Sequence, residues 1–139
     1  MQTKSPIKVF LVEDSVVALE IIERLLNAAP EVDVVGKARN GVEALSVIAR
    51  TKPDVICTDL QMPGMDGLEF TKQVMKNNPC PVLVISNAVQ PSDVDNIYEL
   101  MKAGALDFFP KPSTGSPSDY EKLRGALVTK IRVLASKRV

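Results

Sequence analysis

The sequence predicts an α/β domain with a doubly wound, five-stranded parallel sheet. Short, nearly continuous apolar runs alternate with segments in which apolar residues recur at helical spacing. Runs that are apolar throughout are typical of parallel strands covered by helices on both faces. The predicted strands are Ile7–Val12, Val32–Gly36, Val55–Thr58, Val82–Ser86 and Leu106–Phe109. The predicted helices are Ser15–Ala29, Gly41–Thr51, Gly67–Asn77, Ser92–Ala103 and Asp119–Ser136.

Several helix starts are marked by a polar residue three positions before a Glu. This spacing is that of a capping box, in which side chains satisfy backbone N–H groups that no helical carbonyl reaches. The pairs with this spacing are Asn40 with Glu43, Asp66 with Glu69, and Ser118 with Glu121. We therefore expect the second, third and fifth helices to begin just after these polar residues.

Two prolines, Pro110 and Pro112, bracket the end of the fifth predicted strand. Proline has no N–H to donate to a sheet, so within sheets it is confined mainly to edge strands. A fifth strand at the edge fits the flavodoxin-like strand order 2-1-3-4-5, in which strand 1 lies beside strand 3. This order would bring Glu13 and Asp14, after strand 1, next to Asp59, after strand 3.

The size and charge of the chain limit its function. With 139 residues it is predicted to form one domain, residues 1–139. Lys plus Arg equals Asp plus Glu at 17 each, so no charge bias points to nucleic acid or to a membrane surface. No apolar run reaches the ~18 residues of a membrane span, and the N-terminus lacks the apolar stretch of a signal peptide. We therefore expect a cytoplasmic protein.

The chain contains no histidine and only two cysteines, Cys57 and Cys80. The missing histidine excludes Ser-His-Asp and Cys-His nucleophile systems as well as a self-contained histidine phosphocarrier. Two cysteines without histidine are too few for a structural zinc site. They fit buried thiols in a reducing compartment better than a disulfide framework.

Three carboxylates follow the ends of predicted strands: Glu13, Asp14 and Asp59. The carboxyl ends of parallel strands form the crevice in which α/β proteins bind ligands. Two unit charges about 4 Å apart repel by roughly 4 kcal/mol at an effective dielectric near 20, so a cluster of carboxylates needs a cation, a proton or a function. Mg²⁺ prefers oxygen ligands and takes one or two carboxylates plus phosphate oxygens. Asp14 and Asp59 are candidates to supply those carboxylates.

Two further polar residues, Ser86 and Lys111, stand at the ends of strands 4 and 5. An Asp carboxylate can act as a nucleophile and become an acyl phosphate. Lys111 would then neutralise charge on the transferred phosphoryl group, and the Ser86 hydroxyl would donate to another of its oxygens. We expect the cation on the Glu13–Asp14 side of Asp59 and Lys111 on the opposite side.

Four segments at these strand ends resemble the signature segments of two-component response-regulator receiver domains. The resemblance runs from about Ile7 to Ser136, which is nearly the whole chain. The segments are Val12-Glu13-Asp14-Ser15, the run from Thr58-Asp59-Leu60-Gln61 to Met65-Asp66-Gly67, Val84-Ile85-Ser86-Asn87-Ala88, and the run from Ala103-Gly104-Ala105 to Pro110-Lys111-Pro112.

The resemblance implies that Asp59 accepts a phosphoryl group from a sensor histidine kinase. It also implies a Mg²⁺ ion held by Asp14, Asp59 and the backbone carbonyl of Gln61, with Glu13 helping through a water molecule. Ser86 and Phe108 match the switch pair of the family, in which the hydroxyl moves toward the phosphoryl group and the aromatic ring turns inward. The implied docking surface comprises the fourth helix, the fifth strand and the fifth helix.

Within the family, two segments resemble the receiver of chemotaxis protein-glutamate methylesterase: Pro30–Gly36 and Gly104–Ser113. The catalytic domain of that enzyme is absent from these residues. We therefore expect either an excised receiver or a stand-alone regulator that acts by docking to an effector domain or protein partner. The Lys111–Pro112 bond matches one that is commonly cis in the family. Asn87 departs from the pattern, because the family usually has a small residue after the switch hydroxyl.

The residues leave two other classes open. A flavin- or nucleotide-binding module is possible on the same fold, because fold alone does not determine function. Such a module needs a Gly/Ser/Thr-rich phosphate loop after strand 1, where this chain instead has Glu13 and Asp14. A phosphorylation-independent scaffold of the receiver fold is the other class, which the complete set of acceptor-site residues disfavours.

Overall fold

The structure is a computed structural model that describes residues 5–86, 94–111 and 117–137, with side chains described outside 94–97 and 117–118. Within these residues five strands alternate with five helices, as the sequence predicts. The strands are β1 (Ile7–Val12), β2 (Val32–Ala38), β3 (Val55–Thr58), β4 (Val82–Ser86) and β5 (Ala105–Pro110). The helices are α1 (Val16–Asn27), α2 (Gly41–Thr51), α3 (Gly67–Asn77), α4 (Val94–Ala103) and α5 (Pro117–Ala135).

The strands form one parallel sheet in the order β2-β1-β3-β4-β5, which confirms the predicted fold class and strand order. Strand β5 lies at an edge, where the missing N–H of Pro110 leaves no gap inside the sheet. Val12, the last residue of β1, pairs with Ala38 on one side and Thr58 on the other. The ends of these three strands are therefore level, and the residues that follow β1 and β3 share one edge of the sheet.

Strand β2 is longer than predicted because Gly36 lies inside the strand instead of ending it. A Cβ atom at Gly36 would lie 2.6 Å from the ring of Phe10 on the paired strand β1. Glycine therefore allows the aromatic ring to pack closely against β2. The strand continues through Lys37 and Ala38, which brings its end close to the end of β1.

Two of the three predicted helix caps are confirmed. The Asn40 side chain accepts a hydrogen bond from the N–H of Glu43 at 2.8 Å, and the Asp66 side chain accepts one from the N–H of Glu69 at 2.9 Å. The third prediction is wrong, because α5 begins at Pro117, one residue before Ser118. Proline suits the first position of a helix, where its missing N–H would have had no helical partner.

Apolar residues pack on both faces of the sheet. Residues of α1 and α5, such as Leu26 and Ile131, cover one face, and residues of α2, α3 and α4, such as Phe70 and Leu100, cover the other. Each such side chain contributes about 1.5–3 kcal/mol to folding when fully buried. These two layers hold the strand ends in a rigid frame.

Cys57 and Cys80 are free, buried thiols, as expected. Their side chains belong to different apolar layers, which lie on opposite faces of the sheet. Burial raises the pKa of each thiol to about 12, which keeps both protonated and poorly nucleophilic. Among the described residues, no helix is long and apolar enough to cross a membrane.

Candidate phosphoacceptor and cation site

The turn after β1 directs Glu13 into the protein. The Glu13 N–H donates to the carbonyl of Ala38 at 3.0 Å, which continues the β1–β2 pairing by one residue. The Glu13 carboxylate then accepts from the N–H of Ser15 at 3.0 Å, and Ser15 caps α1 by accepting from the N–H of Ala18. Glu13 is only 1% exposed, whereas Asp14 is half-buried and lies closer to the surface.

Asp59 follows β3 at the same edge of the sheet. Its N–H donates to the carbonyl of Val12 at 3.0 Å, so its backbone is attached directly to the end of β1. Its Oδ1 atom accepts from the N–H of Leu60 at 2.7 Å, which orients the carboxylate. The residue is 7% exposed, so the carboxylate is buried with only a small part of its surface open to solvent.

The start of α3 lies directly behind Asp59. The Gly67 N–H donates to the Leu60 carbonyl at 2.7 Å. A Cβ atom at Gly67 would lie 2.5 Å from the backbone oxygen of Asp59, which is closer than real Cβ contacts allow. Glycine at this position thus permits the close approach of α3 to the Asp59 loop.

Lys111 crosses the site and touches two carboxylates. Its backbone N–H donates to the carbonyl of Ser86 at 2.7 Å, which places the residue at the end of β4 and β5. Its Nζ atom donates to Asp59 Oδ2 at 3.0 Å and lies 2.9 Å from Glu13 Oε1. The expected position of Lys111, opposite Glu13, is therefore wrong. The long side chain reaches between the two buried carboxylates, where one ammonium group offsets the repulsion between them.

Burial dominates the electrostatics of Glu13. It raises the pKa of Glu13 to about 7, a rise that the charge of Asp59 reinforces and that the contacts with Ser15 and Lys111 only partly offset. Burial alone would lower the pKa of Lys111, but contact with the Glu13 and Asp59 carboxylates outweighs it and raises that pKa. Lys111 is therefore a permanent cation in the site, and Glu13 is a carboxyl group that titrates near neutral pH.

The carboxylates fit a divalent cation. Glu13, Asp14 and Asp59 each offer a carboxylate oxygen, and these oxygens lie within 4.8 Å of one another. Glu13 Oε1 is also buried without a hydrogen bond of good geometry in the described part of the chain, so it retains capacity to bind a cation or a water. Oxygen ligands from carboxylates are those that Mg²⁺ prefers. Gln61 follows Asp59 by two positions in the sequence, and its side chain is exposed to solvent.

Ser86 lies on β4, the strand beside β3, and Phe108 lies on β5, the next strand beyond β4. Ser86 is the half-buried last residue of β4 and pairs with Pro110 of β5. Phe108 is half-buried on β5, pairs with Val84 and packs against the apolar layer of α2, α3 and α4. Their positions are compatible with the implied switch pair, whose movement stays a prediction. Asn87 and the Lys111–Pro112 bond lie outside the described residues.

Arg39 contacts the site and was not predicted. Its Nη2 atom donates to the backbone carbonyl of Asp14 at 3.1 Å. The two residues are 25 positions apart in the sequence. No sequence motif predicts this contact, because it depends on how far β2 extends, and β2 is longer than the sequence predicts.

The family model of the response regulator receiver domain matches residues 9–118 of this chain. The chain belongs to the response regulator receiver family. The receiver fold thus accounts for the level ends of β1 and β3 and for the carboxylates that follow them.

Similar proteins narrow the relationship within receivers. The chain is 39% identical over 128 residues to protein-glutamate methylesterase/protein-glutamine glutaminase from Halalkalibacterium halodurans, covering 92% of this chain and 37% of that protein. It is 36% identical over 129 residues to the same kind of protein from Pyrococcus horikoshii, covering 93% of this chain and 35% of that one. The chain thus spans little more than a third of the length of these relatives.

Solved receiver structures agree with this relationship. The response regulator domain of Thermotoga maritima CheB has a TM-score of 0.83 at 30% identity, with 97% of this chain and all of that chain covered. The signal receiver domain of a response regulator NarL from Mycobacterium tuberculosis has a TM-score of 0.76 at 31% identity, covering 93% and 98%. The chain is therefore similar to a CheB receiver over nearly its whole length, as its sequence segments indicate.

Proposed function

We propose that residues 1–139 act as a receiver that accepts a phosphoryl group on Asp59 from a sensor histidine kinase in a Mg²⁺-dependent reaction. The observation that carries this proposal is that Asp59 has two kinds of neighbour: its carboxylate lies within 4.8 Å of those of Glu13 and Asp14, and it also accepts a hydrogen bond from the ammonium group of Lys111. A phosphoryl group on Asp59 would add negative charge, and this site offers positive charge to receive it.

In the proposed reaction, a carboxylate oxygen of Asp59 attacks the phosphorus of a phosphohistidine on the kinase. A P–O bond forms to Asp59 as the donor P–N bond breaks, and the donor nitrogen keeps the electron pair. Glu13, Asp14, Asp59 and the Gln61 carbonyl would hold Mg²⁺, which supplies positive charge to the phosphoryl oxygens when bound. Attack by water later releases inorganic phosphate and regenerates the carboxylate.

The protein contributes mainly position and charge to this transfer. The Leu60 N–H fixes one oxygen of Asp59, and Lys111 contacts the other. As the phosphoryl group arrives, the Lys111 ammonium would move from the carboxylate oxygen to a phosphoryl oxygen, and Ser86 would donate to another. Phe108 would then turn inward and complete the switch. The protein would then be a signalling domain with a self-catalysed reaction and not a conventional turnover enzyme.

The proposed kinase and the proposed target of the receiver are suggested by the relatives with which this chain aligns. They are methylesterases, so we propose a chemotaxis-type kinase as the donor and a cytoplasmic effector domain or protein as the target. The proposed docking surface is the α4–β5–α5 face. On that face Tyr98 and Met101 are exposed, and the Lys102 ammonium lies over the Tyr98 ring at 5.3 Å from its centre.

Intact-mass analysis after incubation with acetyl phosphate tests the acceptor. We expect the chain to gain one phosphoryl group with Mg²⁺ and none without it. Asp59→Asn should abolish the gain, because an amide is not nucleophilic enough to attack phosphorus. Asp54→Asn is the matched control, since Asp54 is an exposed aspartate at the opposite end of β3 and should leave labelling unchanged. Stoichiometric labelling of the Asp59→Asn variant at another residue would refute the proposal.

A further inference from the structure

Two hydrogen bonds join the turn after β1 to the turn after β2. The Glu13 N–H donates to the Ala38 carbonyl at 3.0 Å, and Arg39 Nη2 donates to the Asp14 carbonyl at 3.1 Å. The first bond continues the sheet, whereas the second is made by a side chain beyond the sheet. Arg39 is exposed, and it lines a surface cleft of about 440 Å³ together with Asp14, Asn40, Glu43 and Pro63.

Asp14 depends on this backbone contact more than the other two carboxylates do. The Glu13 carboxylate is held by the Ser15 N–H, and the Asp59 carboxylate by the Leu60 N–H and Lys111. No described residue donates a hydrogen bond to the Asp14 carboxylate. The place of this carboxylate in the site thus depends on the position of its backbone, and the Arg39 side chain donates a hydrogen bond to that backbone.

We propose that Arg39 is a positioning residue for the cation site, which orients Asp14 by holding its backbone carbonyl. This inference rests on the proposed binding of Mg²⁺ by Asp14. Mg²⁺ requires near-ideal octahedral geometry, so even small movements of the turn that carries Asp14 would lower the affinity of the site for Mg²⁺. Residues that fix the ligands of a metal from outside the coordination shell commonly affect affinity in this way.

The charge of Arg39 acts in the opposite direction. A guanidinium group near a cation site repels the cation, and its removal would tighten binding if charge dominated. Arg39 is exposed to solvent, however, so water and salt screen this repulsion. The hydrogen bond to Asp14 acts at contact distance, so salt weakens it less than the longer-range repulsion, and we expect the geometric effect to be the larger one. The two effects predict changes of opposite sign in the affinity for Mg²⁺.

The test is the dissociation constant for Mg²⁺ of the full chain, measured by titration of the backbone amide NMR shifts at Asp14 and Asp59. We expect Arg39→Met, which keeps the aliphatic stem but removes donor and charge, to weaken binding about three- to tenfold. Arg39→Lys, which can still donate to the carbonyl, should recover part of that loss. In labelling by acetyl phosphate, the half-saturating Mg²⁺ concentration should rise while the rate at saturating Mg²⁺ stays unchanged.

Lys37→Met is the matched control. Lys37 lies in β2, two residues before Arg39, is also exposed and pairs with Glu23 at 3.0 Å, away from Asp14. This variant loses the same charge but should retain the wild-type affinity. An Arg39→Met variant that binds Mg²⁺ as tightly as the wild type, or more tightly, would overturn the proposal. A loss of thermal stability in Mg²⁺-free buffer well beyond that of Lys37→Met would also overturn it, because the role would then be structural.

The design separates the two proposals. If the wild-type chain neither binds Mg²⁺ nor is labelled on Asp59, the proposed function is wrong, and the role of Arg39 is wrong with it. If the wild type binds Mg²⁺ and is labelled but Arg39→Met behaves like Lys37→Met, only the role of Arg39 is wrong.

Discussion

The aspartates at the two ends of β3 have the same side chain and opposite surroundings. Asp54 precedes the strand, is exposed, and accepts a hydrogen bond from the N–H of Lys8 at 2.8 Å. Asp59 follows the strand, is buried, and lies with Glu13 around the ammonium of Lys111. One aspartate completes the start of the sheet, whereas the other forms part of a charged cluster.

The direction of the chain explains this difference. At the amino end of a parallel sheet, some backbone N–H groups lack a partner in the sheet. A single solvent-exposed carboxylate, such as that of Asp54, can accept a hydrogen bond from one of them. At the carboxyl end, the chain turns into helices, and several strand ends bring side chains into one crevice. Three carboxylates in that crevice cost free energy unless a cation joins them. The two ends therefore differ in what a substitution should change.

Gly67→Ala should have the largest effect on the carboxyl end. The new methyl group would meet the backbone oxygen of Asp59 at 2.5 Å, and backbone atoms cannot move aside as a flexible side chain can. We expect a loss of about 2–3 kcal/mol in the free energy of unfolding, measured by urea titration. Displacement of the Asp59 loop should also slow labelling by acetyl phosphate.

Gly125→Ala is the control for that substitution. Gly125 lies inside α5, and among the described residues no atom beyond the neighbouring backbone of its own helix lies within 4 Å of the Cβ atom that alanine would add. Alanine is favoured over glycine in a helix by about 1 kcal/mol, so this variant should gain stability. Equal effects of the two substitutions would mean that the contact between α3 and Asp59 is not tight.

Glu13→Gln should make stability depend less on pH. The pKa of Glu13 is raised in the folded protein to about 7, against 4.5 for the ordinary side chain. The folded state therefore holds the proton more strongly, and its advantage is present below pH 4.5 and lost as the pH rises through 7. We expect Glu13→Gln, without Mg²⁺, to be more stable than the wild type by roughly 2 kcal/mol at pH 8 and close to it at pH 4.5.

The opposite end of the sheet supplies the control for this pH dependence. Asp54→Asn retains an oxygen that can accept from Lys8, so the difference in unfolding free energy from the wild type should be small at both pH values. Urea titrations of both variants at pH 4.5 and pH 8 provide the measurement. A Glu13→Gln variant that is less stable than the wild type at pH 8 would mean that the ion pair with Lys111 outweighs the burial of Glu13.

The sequence predicts the carboxyl end well where the backbone determines the outcome. Polar residues directly after apolar runs mark the ends of strands, and Pro110 indicates which strand lies at the edge. Those two facts are enough to bring Glu13, Asp14 and Asp59 together, as the structure does. The roles assigned to Gln61, Ser86 and Phe108 stay predictions, because they concern bound ions and movements.

Sequence patterns are less informative where a long side chain or a close packing contact decides. The Lys111 side chain has four rotatable bonds, so the position of its ammonium group cannot be predicted from the spacing of residues in the sequence. Its contact with Glu13 depends on the burial and charge of the surrounding groups. Gly36 reads as a strand terminus, but the ring of Phe10 occupies the space of its missing Cβ and the strand continues. The contact of Arg39 with Asp14 follows from that longer strand, so it was hidden by the same cause.

The ion pair between Lys130 and Asp107 should show the smallest effect, because it lies at the surface. The two side chains are 38% and 43% exposed and 2.7 Å apart, whereas Lys111 and Asp59 are 15% and 9% exposed at 3.0 Å. We expect Lys130→Met to cost about 0.5 kcal/mol or less in the free energy of unfolding, measured by urea titration, since water screens exposed pairs.

The stability contributed by this ion pair should also depend on pH. Partial burial alone would raise the pKa of Asp107, but the hydrogen bonds from Lys130 and from the Phe108 N–H outweigh burial and lower that pKa. The small contribution is therefore present above the ordinary pKa near 3.8 and lost as the pH falls through the lowered value. Raising the salt concentration should erase it, and a loss above about 2 kcal/mol that persists in high salt would show that this pair behaves like the buried one.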